Sequence, residues 1–207
     1  MGSEMCIRDR PELKYNSVSD HQSILYYQTS WSSSGKLPAM LIEGMPAWNN
    51  DEDGTLIGSK RSDDMHGAKG KDTLKGKKGN DFLYGNKGAD TLIGGHGDDV
   101  LTGGSGADVL DGGDGQNSFG DEQDGKKDVL KLKQDKHPDR IIGLDQKDVI
   151  EIKATGSDSD GVSVAVTSEN LTAVGQSLLI SLDDDAIAYY TGNNLSANDL
   201  VSMVQVI

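Results

Sequence analysis

A nine-residue period governs the middle of this chain and restricts its fold more than any other feature. Glycine recurs at 58, 67, 76, 85, 94, 103 and 112 without a slip. A second glycine falls three residues later in six of these seven rows, at 70, 79, 88, 97, 106 and 115. Five residues after the first glycine stands Asp63, Asp72, Asp81, Asp90, Asp99 or Asp108, with Asn117 in the seventh row. Two residues further on comes a large apolar side chain: Met65, Leu74, Leu83, Leu92, Leu101, Leu110 and Phe119. A short fixed period is the signature of a solenoid, in which each repeat stacks on its neighbours.

Side chains alternate across a strand, so the apolar residue of each row can point inward while its neighbours point out. The flanking positions are mixed, as outward positions should be: Thr73 and Lys75, Thr91 and Ile93, Val100 and Thr102. The stacked rows then form a thin ladder of leucines. Such a core suits a chain with only 34% hydrophobic residues and 27 glycines, against a usual apolar share of roughly 45–50%. Paired glycines permit positive φ and close approach of backbones. Turns of this kind aim carbonyl oxygens at one point, and each aspartate adds a carboxylate. Calcium prefers such oxygen-rich surroundings, with about 6–8 ligands at roughly 2.3–2.6 Å.

If two rows make one coil, residues 18 apart share an edge of the solenoid. Ions would then lie between Asp63 and Asp81, Asp72 and Asp90, Asp81 and Asp99, Asp90 and Asp108 and, more weakly, Asp99 and Asn117. A repeated aspartate can also cap its own turn without metal. Stacked carboxylates repel, however, and a cation between them removes that cost. Lys60, Lys69, Lys78 and Lys87 recur at the third position and read as solvated charges tempering the acidic ladder.

The rows G-G-H-G-D-D-V-L-T at 94–102 and G-G-S-G-A-D-V-L-D at 103–111 fit the pattern G-G-x-G-x-D-x-U-x throughout. Residues from about 55 to 130 thereby resemble the RTX calcium-binding nonapeptide repeats. The resemblance implies an all-β fold: a parallel β-roll of about seven rows, each a six-residue turn and a three-residue strand, with a β-rich C-terminal cap. It also implies carbonyl ligands from the first and third positions of each turn. These are Gly67 and Lys69, Gly76 and Lys78, Gly85 and Lys87, Gly94 and His96, Gly103 and Ser105. Several Ca²⁺ ions, export by type I secretion machinery and a secreted or cell-surface location are further implications. Row one departs from the pattern, with Ser59 and Arg61 where glycine is expected, and Asn117 lowers the charge of row seven.

The chain divides by composition into four stretches. Residues 1–10, MGSEMCIRDR, match the translation of a transposase-type sequencing adapter read from a GTG start. On that reading Cys6 is not native and an upstream part of the gene is missing. Residues 11–50 hold half of the aromatics, with Tyr15, Tyr26, Tyr27, Trp31 and Trp48, and suit an upstream remnant or a cap on the roll. His21 lacks any accompanying catalytic motif and reads as a packing or surface residue. Residues 51–130 are the roll. Residues 131–207 read as a β-rich cap and a type I secretion region. Within them, alternating Val162, Val164 and Val166 suggest a half-buried strand. Leu178 to Leu182 and Ala186 to Tyr190 flank Asp183-Asp184-Asp185 as a hairpin, and Ser196 with Asp199 opens a short helix through a capping box.

The remaining features exclude several functions. With 34 acidic against 20 basic residues, a net charge of −14 disfavours nucleic acid and anionic membranes. No run approaches the ~18 apolar residues of a membrane span, and a single cysteine forms no internal disulfide. None of the histidines at 21, 66, 96 and 137 lies in H-E-x-x-H, and no G-x-S-x-G occurs, so catalysis would belong to an upstream domain. Together with the RTX resemblance, these exclusions lead to the expectation of a calcium-binding, monomeric, non-enzymatic module of a secreted protein that folds on binding calcium. A calcium-rigidified spacer of an adhesive surface protein is the alternative.

Overall fold

The structure is a computed structural model that describes residues 53–120, 122–153, 164–171, 175–182, 185–192 and 194–207. It also places four two-residue strands before them, Lys14–Tyr15, Leu25–Tyr26, Ala39–Met40 and Ala47–Trp48. The readings of residues 1–10, His21, Asp183 and Asp184 fall outside the described residues.

Two parallel sheets face each other and the chain alternates between them. One stacks Ala39–Met40, Thr55–Ile57, Thr73–Lys78, Thr91–His96, Val109–Asp114, Val129–Lys133, Val149–Lys153 and Val204–Val206. The other stacks Ala47–Trp48, Asp64–Lys69, Phe82–Lys87, Val100–Ser105, Ser118–Gly120, Asp139–Ile142 and Asp185–Tyr190. Within the rows the register is 18 residues: Leu74 pairs with Leu92, Leu92 with Leu110, and Leu83 with Leu101. Two nonapeptides therefore make one coil, and the fold is the parallel β-roll that the period implies.

The inward residues form the core. Met65, Leu74, Leu83, Leu92, Leu101 and Leu110 are fully buried, and Phe119, Leu130, Ile141 and Ile150 continue the two ladders. The strands differ in length from the expected three residues. Most rows pair over six, because pairing resumes beyond the first-position glycine: Gly104 pairs with Asn86 and Ser105 with Lys87. The turn is thus a stacked, hydrogen-bonded part of the sheet, tied by contacts such as the Gly88 N–H to the Ser105 carbonyl at 2.8 Å.

Beyond row seven the coil lengthens, with Leu110 pairing Leu130 and Phe119 pairing Ile141. The C-terminal end is closed as the sequence suggests. Val164–Leu171, Gly175–Leu182 and Asp185–Tyr190 form an antiparallel meander on the second sheet, with Leu178 opposite Tyr190. The helix Ala197–Met203 starts at a capping box in which the Asp199 N–H donates to Ser196 Oγ and the Ser196 N–H donates to Asp199 Oδ2. Its buried Leu200 and Met203 join the core.

Candidate metal centre

Each row turns at one of two edges, and an aspartate is buried at every turn. Asp63, Asp81, Asp99 and Asn117 lie along one edge, and Asp72, Asp90 and Asp108 along the other. They are tied head to tail by one repeated hydrogen bond: the main-chain N–H of each donates to Oδ1 of the residue one coil ahead. The distances are 2.8 Å for Asp63 to Asp81, 2.7 Å for Asp72 to Asp90 and 2.8 Å for Asp81 to Asp99. Asp90 reaches Asp108 at 2.7 Å and Asp99 reaches Asn117 at 3.1 Å.

The second carboxylate oxygen has no such partner. Oδ2 of Asp81, Asp90, Asp99 and Asp108 is sealed from solvent and accepts no hydrogen bond. A buried anionic oxygen left in that state is costly, which makes it the feature most in need of a counter-charge. Burial accordingly pushes Asp81 up to about 6, with the Asp63 N–H opposing and the Asp99 and Asp63 charges adding. Burial pushes Asp108 up to about 7, opposed by the Asp90 N–H, with the neighbouring charges of Asp90, Asp128 and Asp124 adding. Asp90 and Asp99 are raised by burial in the same way.

Lacking a Cβ, the first-position glycines let these oxygens and a carbonyl of the next coil converge close to their backbone. A Cβ on Gly85 would lie 2.6 Å from Asp90 Oδ2 and 2.5 Å from the carbonyl oxygen of Gly103. A Cβ on Gly67 would meet Asp72 Oδ2 at 2.8 Å and the Gly85 carbonyl at 2.7 Å. At Gly76 the same convergence brings Asp81 Oδ2 and the Gly94 carbonyl together, and at Gly94 it brings Asp99 Oδ2 and the Gly112 carbonyl. Each cradle therefore gathers a carboxylate from one row and a carbonyl from the next coil. Among the described residues no three carboxylate or imidazole side chains converge, so an ion here draws on backbone carbonyls as well. Oxygen donors of this mixed kind suit Ca²⁺.

Residues 48–83, 66–101 and 84–119 each match the family of RTX calcium-binding nonapeptide repeats (4 copies). Residues 48–119 carry RTX calcium-binding nonapeptide repeats. No curated protein matches the chain significantly. Among solved structures it is similar to the solution structure of the AlgE6R3 subunit from the Azotobacter vinelandii mannuronan C5-epimerase. That match has 22% identity and a TM-score of 0.33, and covers 77% of this chain and 80% of that one.

Several expected ligands of the RTX rows stand differently from the rest. In row one Ser59 occupies Asp63: its N–H donates to Asp63 Oδ2 at 2.6 Å and its hydroxyl to Oδ1 at 3.3 Å. The third-position carbonyls of His96 and Ser105 accept the N–H groups of Gly79 and Gly88, so they hold the stack together. The first-position carbonyls of Gly76, Gly85, Gly94, Gly103 and Gly112 are the ones that face a carboxylate. The ladder also outruns the repeat motif. Asp128, Asp139 and Asp148 are buried and accept from Asp108, Asn117 and Asp128 at 2.6, 2.7 and 3.0 Å. Their spacings of 20 and 22 residues hid them from a search at period nine.

Proposed function

We propose that this chain is a calcium-dependent folding module of a secreted bacterial protein. Its ions lie between consecutive coils, each held by Oδ2 of Asp72, Asp81, Asp90, Asp99 or Asp108. Where the next coil supplies a facing carbonyl, it is that of Gly85, Gly94, Gly103 or Gly112. The observation that carries this reading is the sealed, unpartnered Oδ2 of Asp81, Asp90, Asp99 and Asp108. Calcium would supply neutralisation and cross-linking of the coils; the chain supplies the spacing and the stacked N–H groups that hold each carboxylate in place.

Folding and ion binding are then linked, because an ion that binds only the folded state stabilises it. The core is only two facing ladders of side chains thick, and the crowded carboxylates favour an expanded chain until they are neutralised. Extracellular calcium modules bind near 10⁻⁴–10⁻³ M, so a calcium-poor cytoplasm keeps the chain unfolded for export. Residues 131–207 act as the cap of the roll and carry the type I secretion region. The module itself is a non-catalytic monomer that supports a domain encoded upstream. The test is a calcium titration of the full chain, followed by far-UV circular dichroism with magnesium as control. A cooperative gain of β signal between tens of micromolar and a few millimolar calcium is expected. A roll fully formed in chelator and indifferent to calcium overturns the proposal.

A further inference from the structure

The seventh row breaks the pattern at two positions, and both fall on the same cradle. Asn117 stands where the other rows have aspartate, and Phe119 where they have leucine or methionine. Both are fully buried, at 0% and 1% exposure.

Beside Gly58, Gly67, Gly76, Gly85 and Gly94 the surroundings of the first-position glycine are an aspartate Oδ2 and a carbonyl of the next coil. Beside Gly112 they are instead Asn117 Nδ2, 2.6 Å from a Cβ placed there, and Phe119 Cζ at 2.8 Å. No carbonyl is among its nearest neighbours. The orientation of the amide is set by its partners. Oδ1 accepts the Asp99 N–H at 3.1 Å, as the aspartates do in their rows, so Nδ2 takes the place of the unpartnered oxygen. That NH₂ group donates to the Gly115 carbonyl at 3.2 Å, while the main-chain N–H of Asn117 donates to Asp139 Oδ1 at 2.7 Å. An amide presents hydrogens, the positive end of its dipole, to whatever lies before it. It satisfies the same kinds of acceptor that an ion would gather, and it repels an ion.

We infer that Asn117 and Phe119 form a plug that ends the calcium ladder on their edge of the roll. The amide replaces the ion between this rung and Asp139, and the phenyl ring fills the cradle beside Gly112. This rests on the proposed ion sites, and it overturns the expectation that Asn117 is itself a weak ligand. The other end of the same edge is closed in kind, where Ser59 satisfies both oxygens of Asp63. On this edge only Asp81 and Asp99 are left to take ions. The number of ions is thus set by which residues supply hydrogens at the sixth-position carboxylate, as well as by how many rows there are.

The experiment counts calcium ions bound to the full chain at saturating calcium, by native mass spectrometry, with circular dichroism to establish folding. The double variant Asn117→Asp with Phe119→Leu restores the pattern of the rows above, and it is expected to bind one ion more than the wild type. A folded double variant with an unchanged count overturns the plug. Should that variant not fold, the reverse exchange decides. Asp99→Asn places an amide on the neighbouring rung and is expected to bind one ion fewer. A full count in Asp99→Asn shows that an amide does not exclude the ion and overturns the inference. A wild type that binds no calcium defeats the proposed function instead, and is recognised by a count of zero before any variant is compared.

Discussion

The main-chain N–H of Asp72 donates to Oδ1 of Asp90, one coil ahead, at 2.7 Å, while Oδ2 of the same Asp90 carboxylate is sealed without a hydrogen bond. One oxygen therefore fastens the coils together and the other is left for a cation. The two roles can be separated by substitution, because an amide retains the first and loses the second.

Asp90→Asn keeps an acceptor for the Asp72 N–H and is expected to fold at a calcium midpoint raised roughly tenfold, corresponding to about 1.4 kcal/mol. Asp90→Ala also strands the Asp72 N–H, and leaving a buried donor unsatisfied costs a further 1–3 kcal/mol or so. Its midpoint should lie above that of the amide variant. Circular dichroism titrations of the three proteins check the order. Equal midpoints for Asn and Ala would mean that the N–H to Oδ1 bond contributes nothing to the stack.

Gly85→Ala tests the cradle through space alone. Gly85 is not among the residues with positive φ, so its backbone accommodates alanine. The methyl group would still sit 2.6 Å from Asp90 Oδ2 and 2.5 Å from the Gly103 oxygen, closer than real Cβ contacts. Overpacking of this kind costs about 1–3 kcal/mol, and here it also blocks an ion. The variant is expected to bind one ion fewer. Gly120→Ala is the control, since its nearest neighbour would be Thr102 Oγ1 at 3.4 Å; calcium counting and thermal melts should find it close to wild type.

Much of this architecture is legible in the sequence, for a physical reason. In a solenoid each row contacts only the rows beside it, so a local period maps directly onto the coil. Leu74, Leu92 and Leu110 lie in one ladder because they are 18 apart. The capping box at Ser196 and Asp199 is equally local, and it was readable for that reason. Asp128, Asp139 and Asp148 lie off the nine-residue period, because insertions in the turns shift their spacing while the stack restores their register. The role of Asn117 was hidden differently. A sequence shows that aspartate has become asparagine, but which way the amide faces depends on the Gly115 carbonyl and on the N–H of Asp99, a full coil away.

Leu92→Ala addresses the other half of the stability. Leu92 is fully buried between Leu74 and Leu110, in a core made of only two facing ladders. Truncation of a buried leucine costs about 2–5 kcal/mol. Denaturant unfolding at saturating calcium should show that loss, with the bound ion count of the folded variant unchanged. A smaller loss than that of an exposed substitution such as Lys75→Ala would mean that calcium alone holds the roll.

Protons should replace calcium in part. Asp81 titrates near 6 and Asp108 near 7 in the folded roll, against an ordinary value of 3.8. Between about pH 4 and pH 7 the folded, ion-free state therefore holds more protons than the unfolded chain, and stability falls as pH rises through that window. Stability from these groups is fully present below pH 4 or so, and it is lost above the folded-state values. The buried Asp139, pushed up to about 8 chiefly by burial, extends the trend upward. Metal-stripped protein should gain β signal by circular dichroism as pH is lowered from 8 to 5, without added calcium. Asp108→Asn removes one of the groups with a raised value and should flatten the rise between pH 6 and 8. A metal-free chain whose β signal is constant or falls on acidification would show that buried carboxylate charge is not what keeps the roll open.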